Sequence, residues 1–232
     1  MAKFCTKCGK KLEDGKTCSC LKNAPKKVQT ENKDLITTIL DVAKGMFTKP
    51  VDTMKSFIND NNFAPALIIL GVASVITSIV SCLFIKEVYT TIMSAMSPFG
   101  SLGMQTDISY PRIFVSTLLG SMASYVALAG LLYLVVAKIF KGASSFKKMV
   151  TLLAVANIVM IASLLVSAIF MYVSAQLMLI VLVFGALIYC YNLYNGLKYA
   201  SDLDANKMGY AFAIAETILF IVAVFILPKI MM

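Results

Sequence analysis

Of 232 residues, 59% are hydrophobic and only 14% charged, where a soluble domain averages roughly 45–50% apolar and about 25% charged. The formal charge of +9 comes from 20 Lys and one Arg, Arg112; Arg is the side chain suited to bidentate phosphate and base contacts, so a dedicated nucleic-acid binder is disfavoured. The chain has no His, which excludes Ser-His and Cys-His nucleophiles and His-ligated catalytic metals, and with no phosphate loop of the GxxxxGKS or GxxxxGKT type the expectation is a protein that is not an enzyme.

Residues 1–63 are polar and lysine-rich, holding 12 of the 21 basic residues and 7 of the 12 acids. They contain no continuous apolar run of the kind a secretory signal needs, so the first membrane segment is expected to be retained. Within them, Phe4-Cys5-Thr6-Lys7-Cys8-Gly9-Lys10 is the most specific short motif. Two thiolates two residues apart grip one metal ion, and Gly9 permits the positive φ of a tight knuckle. Cys18-Ser19-Cys20 offers a second pair, one residue shorter than a standard knuckle. Four cysteines this close in a cytoplasmic segment favour one structural zinc ion over disulfides or free thiols. No βαβ pattern surrounds them, which disfavours a thioredoxin-like pair. A segment with almost no core of its own is expected to need the metal to fold.

Residues 1–22 thus read as a zinc-ribbon-like module and 23–33 as a linker. Over 34–62, Leu35, Ile36, Ile39, Leu40, Ala43 and Phe47 recur at helical spacing, Lys49-Pro50 interrupts, and Val51, Met54, Phe57 and Ile58 resume. Two short amphipathic helices explain the pattern, either lying on the inner membrane surface or packed against the ends of the spans that follow.

A bilayer core of about 30 Å needs roughly 20 helical residues. Five segments are predicted to meet or approach this: 64–85, entered through Pro65; 113–137, after Pro111; 149–173; 177–197; and 210–227, stopping at Pro228. The third and fourth are separated only by Ser174, Ala175 and Gln176 and should form a tight hairpin. With the N-terminus inside, 18 basic residues lie on the cytoplasmic side and only Lys86, Arg112 and Lys229 outside, so the N-terminus is expected in the cytoplasm and the C-terminus beyond the membrane. Gly120, Ser124, Ala127 and Gly130 form a small-residue face on the second span, as Gly71, Ser74 and Ser78 do more weakly on the first; such faces let helices approach closely in lipid, although Gly and Ala are also simply common in membrane helices.

Glu216 is the one acid within a span, about 9 Å in from the cytoplasmic end of the fifth. Asn157 and Asn192 fall roughly 12 Å and about 8 Å from the same side. A hydrogen-bonded layer between the last three spans is expected, with Glu216 either holding the bundle together or serving as a proton or ion site; a structural role is favoured because no basic partner lies at that depth. Tyr189, Tyr191, Tyr194 and Tyr199 crowd one end of the fourth span as interface anchors. Cys82 and Cys190 lie within spans at different depths and read as small apolar side chains.

From Lys49 onward the chain resembles the Yip (Ypt-interacting protein) family of five-span membrane proteins. The resemblance rests on the Lys49-Pro50 approach helix, on the loop Lys138-Ile139-Phe140-Lys141-Gly142-Ala143-Ser144-Ser145-Phe146-Lys147, and on Tyr191 to Lys207, where Tyr194-Asn195-Gly196-Leu197 looks like the family's aromatic-x-Gly-Leu segment. It implies an all-α membrane protein, a five-helix bundle over 63–231 behind a small zinc ribbon of the kind bacterial relatives carry. It transfers no catalytic or substrate residues. Abundant Lys, Asn and Ile hint at an AT-rich bacterial genome, hence a bacterial plasma membrane. The expected role is a scaffold or adaptor, in contact with the bilayer and with a protein partner at the ribbon (Cys5, Cys8, Cys18, Cys20) or in the membrane. The alternative is a small transporter using Glu216, Asn157 and Asn192, which would be expected to show inverted repeats or interrupted helices.

Overall fold

The computed structural model describes residues 3–4, 11–12, 35–60, 62–96 and 109–221, divided between two units, Met1–Asp34 and Leu35–Met232. In the first unit, β1 (Lys3–Phe4) and β2 (Lys11–Leu12) pair antiparallel, Lys3 opposite Leu12 and Phe4 opposite Lys11. The second unit is helical: α1 (Leu35–Thr48), α2 (Pro50–Asn59), α3 (Phe63–Met96), α4 (Tyr110–Leu134) running into a π-helical turn (Val135–Ile139), α5 (Phe146–Phe170), α6 (Ala175–Ala200) and α7 (Ala205–Ile221).

The helix boundaries follow local chemistry. Proline occupies the first turn of α2 and α4, where its missing N–H would be unpaired in any case. Ser145 and Ser174 are N-caps in extended conformation, accepting from Lys148 N at 3.3 Å and Leu177 N at 3.4 Å; each satisfies an otherwise orphaned helix donor. Ser174 thus turns the chain directly from α5 into α6, and these two helices form the most extensive pairing in the bundle.

Among the described residues, four helical stretches are long and apolar enough to cross a membrane: Phe63–Ile85, Tyr110–Ile139, Phe146–Phe170 and Ala175–Ala200. They coincide with the first four predicted spans. The fifth begins on α7, and its end at 222–227 lies outside the described residues. The helix carrying the first span continues past Ile85 to Met96, because the charged pair Lys86-Glu87 ends the apolar run without breaking the helix and no Gly or Pro follows before Pro98.

α5 is the central element. Over half of its apolar window is buried, 56% against 33%, 28% and 17% for α3, α4 and α6, and it packs against α1, α2, α3, α4 and α6. Burial is continuous from Met149 to Val159, and beyond it on this helix only Ser167 is buried, so the core gathers at the end of the bundle that carries loops 140–145 and 201–204, where the exposed lysines lie. Farther along, Ile169, Ile180, Phe184 and Leu119 are exposed, as lipid-facing side chains are. Hydroxyls inside the bundle bond back to their own helices: Ser74 to Leu70 O at 3.0 Å and Ser78 to Ser74 O at 2.8 Å. That arrangement leaves neither hydroxyl unpaired toward hydrocarbon.

The small-residue faces behave differently from one another. On α3, Ser74 and Ser78 are fully buried. On α4, Gly120, Ser124 and Ala127 are exposed, and a Cβ added at Gly120 or Gly130 would meet nothing within 4 Å. At these glycines the α4 stripe makes no close helix contact among the described residues. The two helices before the spans divide as well. α2 packs on α5 and α6 through Met54, Phe57 and Ile58, each at most 1% exposed. α1 meets α2, α3 and α5 through one stripe only, with Val42 and Met46 buried and Ile39 and Ala43 packed beside them.

Candidate functional site

The two segments with the most family-like sequence, the 138–147 loop and the 194–207 stretch, meet at the lysine-rich end of the bundle. The loop leaves α4 through the π-helical turn, closed by Phe140 N to Val135 O at 3.1 Å and Gly142 N to Val136 O at 2.9 Å. Lys141 adopts φ 54°, a left-handed conformation uncommon for a residue with a Cβ. The turn brings Gly142 against the 201–204 connection, where an added Cβ would lie 2.7 Å from Leu203 Cδ2 and 3.1 Å from Asp202 Oδ1. Ala143 N then donates to Asp202 Oδ1 at 2.5 Å, and Ser144 Oγ to Ala200 O at 2.7 Å. One turn on, Asp204 caps α7 by accepting from Lys207 N at 2.9 Å, with Lys207 Nζ 3.4 Å from its other oxygen. The Lys207 backbone N–H holds the Asp204 carboxyl below the usual carboxylate range.

Next to this clasp, the aromatic-x-Gly-Leu segment is a packing device. A Cβ at Gly196 would run into Leu152 of α5 and reach Ile58 of α2 at 3.7 Å, so the missing side chain is what lets three helices converge. Leu193, Leu197 and Ala200 beside it are buried. Tyr194 meets Phe212 of α7 edge to face, ring centroids 6.1 Å apart at 77°, which suits the aromatic quadrupole. Tyr189 and Tyr199 also pack on the core, and Tyr191 is the exposed member of the tyrosine group. Sequence reading missed Gly185, the second close contact on the same helix, where a Cβ would run into Ser163. Its signal was the eleven-residue, three-turn spacing from Gly196.

The three polar residues of the spans share one level but face different neighbours. Contacts of Gly196 with Leu152 and of Gly185 with Ser163 fix an antiparallel register between α5 and α6. In that register Asn192 is level with Ala156, one residue from Asn157. The Tyr194–Phe212 contact likewise sets Cys190 level with Glu216. Asn157, 4% exposed, interacts with the Tyr125 hydroxyl, which also engages Thr77. Glu216 is half-buried and has Tyr189 and Cys190 as electrostatic neighbours. Asn192, 2% exposed, lies in the α5–α6 seam, and its Nδ2 has no hydrogen-bond partner among the described residues. Of the remaining sequence-derived candidates, Cys82 and Cys190 are free, and Cys82 Sγ lies 3.8 Å from Tyr110 O at the other end of the bundle. Cys5, Cys8, Cys18 and Cys20 lie outside the described residues; β1 and β2 flank the segment 5–10 that carries the first pair.

Apolar helices of spanning length, a core gathered at one end and a clasp between two connecting loops together define a multi-pass α-helical membrane protein. The family model of the Yip1 domain matches residues 44–227, from the second half of α1 to the end of the predicted fifth span. The chain belongs to the Yip1 domain family. No curated protein and no solved structure matches it.

Proposed function

We propose that this Yip1-domain protein is a non-enzymatic membrane adaptor of a bacterial plasma membrane, with its N-terminus in the cytoplasm. Residues 1–22 act as a zinc ribbon that recruits a cytoplasmic protein partner, and the five-span bundle anchors it. The observation that carries this reading is the antiparallel pairing of β1 and β2 on either side of the first cysteine pair. At the lysine-rich end of the membrane unit, Ala143 N and Ser144 Oγ are used on the 200–204 connection, which holds that end of the bundle in one shape. The 18-to-3 lysine and arginine bias supports the orientation. Cys5, Cys8, Cys18 and Cys20 would hold one zinc ion, and the β1–β2 pairing on either side of the first pair supports that assignment. The ion's part is structural, closing residues 3–20 into one shape. Crosslinking and co-purification from native membranes, comparing wild type with Cys5→Ser/Cys8→Ser, tests the reading. A partner captured by the wild type alone supports it; identical or empty captures refute it.

A small transporter is the second reading, favoured by the Nδ2 of Asn192, unpartnered among the described residues, since a buried amide donor is a place for a polar ligand to bind. Under the adaptor reading, Glu216→Gln and Asn192→Leu leave partner capture unchanged. Asn192→Leu should also hold or raise thermal stability in detergent, by about 1 kcal/mol, because it removes a buried amide nitrogen that has no partner among the described residues. Loss of function in either variant at normal folded abundance would favour transport.

A further inference from the structure

The apolar arc of α1 is wider than the surface it packs on. At 3.6 residues per turn, Ile39, Val42, Ala43 and Met46 form the stripe that meets the bundle, and Ile36, Leu40 and Phe47 form the stripe beside it. Ile36, Leu40 and Phe47 are 63%, 62% and 60% exposed, and Val51 at the start of α2 is 42% exposed. Beyond this second stripe comes the polar side of the helix, with Lys44 exposed at the edge and Lys49 exposed in the bend that follows.

The stripe lies near the level at which the spans enter the membrane. The helix packs on α3 and α5, whose membrane-crossing stretches begin at Phe63 and Phe146. Lys147 sits over the Phe63 ring at 5.7 Å, a charge at the water boundary beside an aromatic ring. Just inside that boundary, Leu67 and Ile68 on α3 are already exposed and lipid-facing. The α1 stripe therefore lies beside the starts of two membrane-crossing stretches, with lysines along its outer edge.

We propose that the Ile36–Leu40–Phe47 stripe of α1 is buried in the headgroup layer of the adjacent leaflet and binds anionic lipid, with Lys44 and Lys49 meeting the phosphates. A helix with an apolar face and a flanking cationic edge lies in the membrane plane in this way, and lysines at the surface enrich anionic lipids locally. The chain contains no Trp, so Phe47→Trp introduces a single fluorescent reporter in the stripe; Leu40→Trp is the second reporter, used if the first does not fold. The full chain is reconstituted into phosphatidylcholine vesicles containing phosphatidylglycerol, with brominated lipid as quencher.

The expected result is blue-shifted emission, quenched more by shallow than by deep bromines. Brominated phosphatidylglycerol should quench about twofold more than brominated phosphatidylcholine at equal mole fraction, and Lys44→Gln/Lys49→Gln should abolish that excess. Emission typical of water, or blue-shifted emission that brominated lipid does not quench, would overturn the proposal, the latter because a protein surface then covers the stripe. Equal quenching by the two lipids, or an excess that survives the lysine substitutions, would overturn the anionic-lipid assignment.

Discussion

Gly196→Leu is expected to abolish accumulation of folded protein, and Gly196→Ala to lower thermal stability in detergent by about 1–3 kcal/mol. A Cβ at this position runs into Leu152, itself fully buried, with Ile58 of α2 behind it. Neither neighbour can withdraw, because both belong to the closed core around α5 and interiors packed at this density transmit strain rather than absorb it. Gly120→Ala is the control. Its added methyl meets nothing within 4 Å and replaces a poor helix former with the best one, so it should be neutral or slightly stabilising. Equal losses from the two alanine variants would show that the contact at Gly196 is not the cause.

Phe57→Ala should cost about 3–5 kcal/mol and release α1 and α2 from the bundle. Phe57 is 1% exposed on a helix of ten residues, and a helix that short has little stability without its packed face. The side chain of Asn62 closes the C-terminal end of α2 by donating to Phe57 O at 3.2 Å, but one such bond contributes roughly 1 kcal/mol and does not replace the lost packing. Limited proteolysis reads the effect directly: new cleavage between residues 49 and 62, with α5 and α6 still protected. Unchanged protection would show that α2 is held by something other than this face.

The first four spans were legible because length and hydropathy carry the information, and Pro65 and Pro111 marked the entry to the first two. Which side of each span faces the protein was not legible. α3, α4, α5 and α6 are apolar nearly all round, and in lipid an outward Leu and an inward Leu have comparable environments. The α4 stripe of Gly120, Ser124 and Ala127 therefore looked like a packing face and is exposed, whereas Gly185 and Gly196, three helical turns apart, make the close contacts. The family segments around Gly142 and Gly196 were recognisable as sequence, but the pairing of Ala143 with Asp202 and Ser144 with Ala200 joins residues more than fifty positions apart, and no local pattern records it. The level of Asn157, Asn192 and Glu216 followed from counting residues along each span. Their partners Tyr125, Tyr189 and Cys190 did not, because they depend on how each helix is rotated about its axis.

The adaptor reading rests on a metal-held ribbon ahead of the Yip1 domain, so zinc content is its most direct measure. The full-length chain, purified in detergent under reducing conditions, should carry one zinc ion per molecule, and Cys5→Ser/Cys8→Ser should carry none while the helical bundle keeps its thermal stability. Wild-type protein that takes up no zinc under those conditions would contradict the account at its centre.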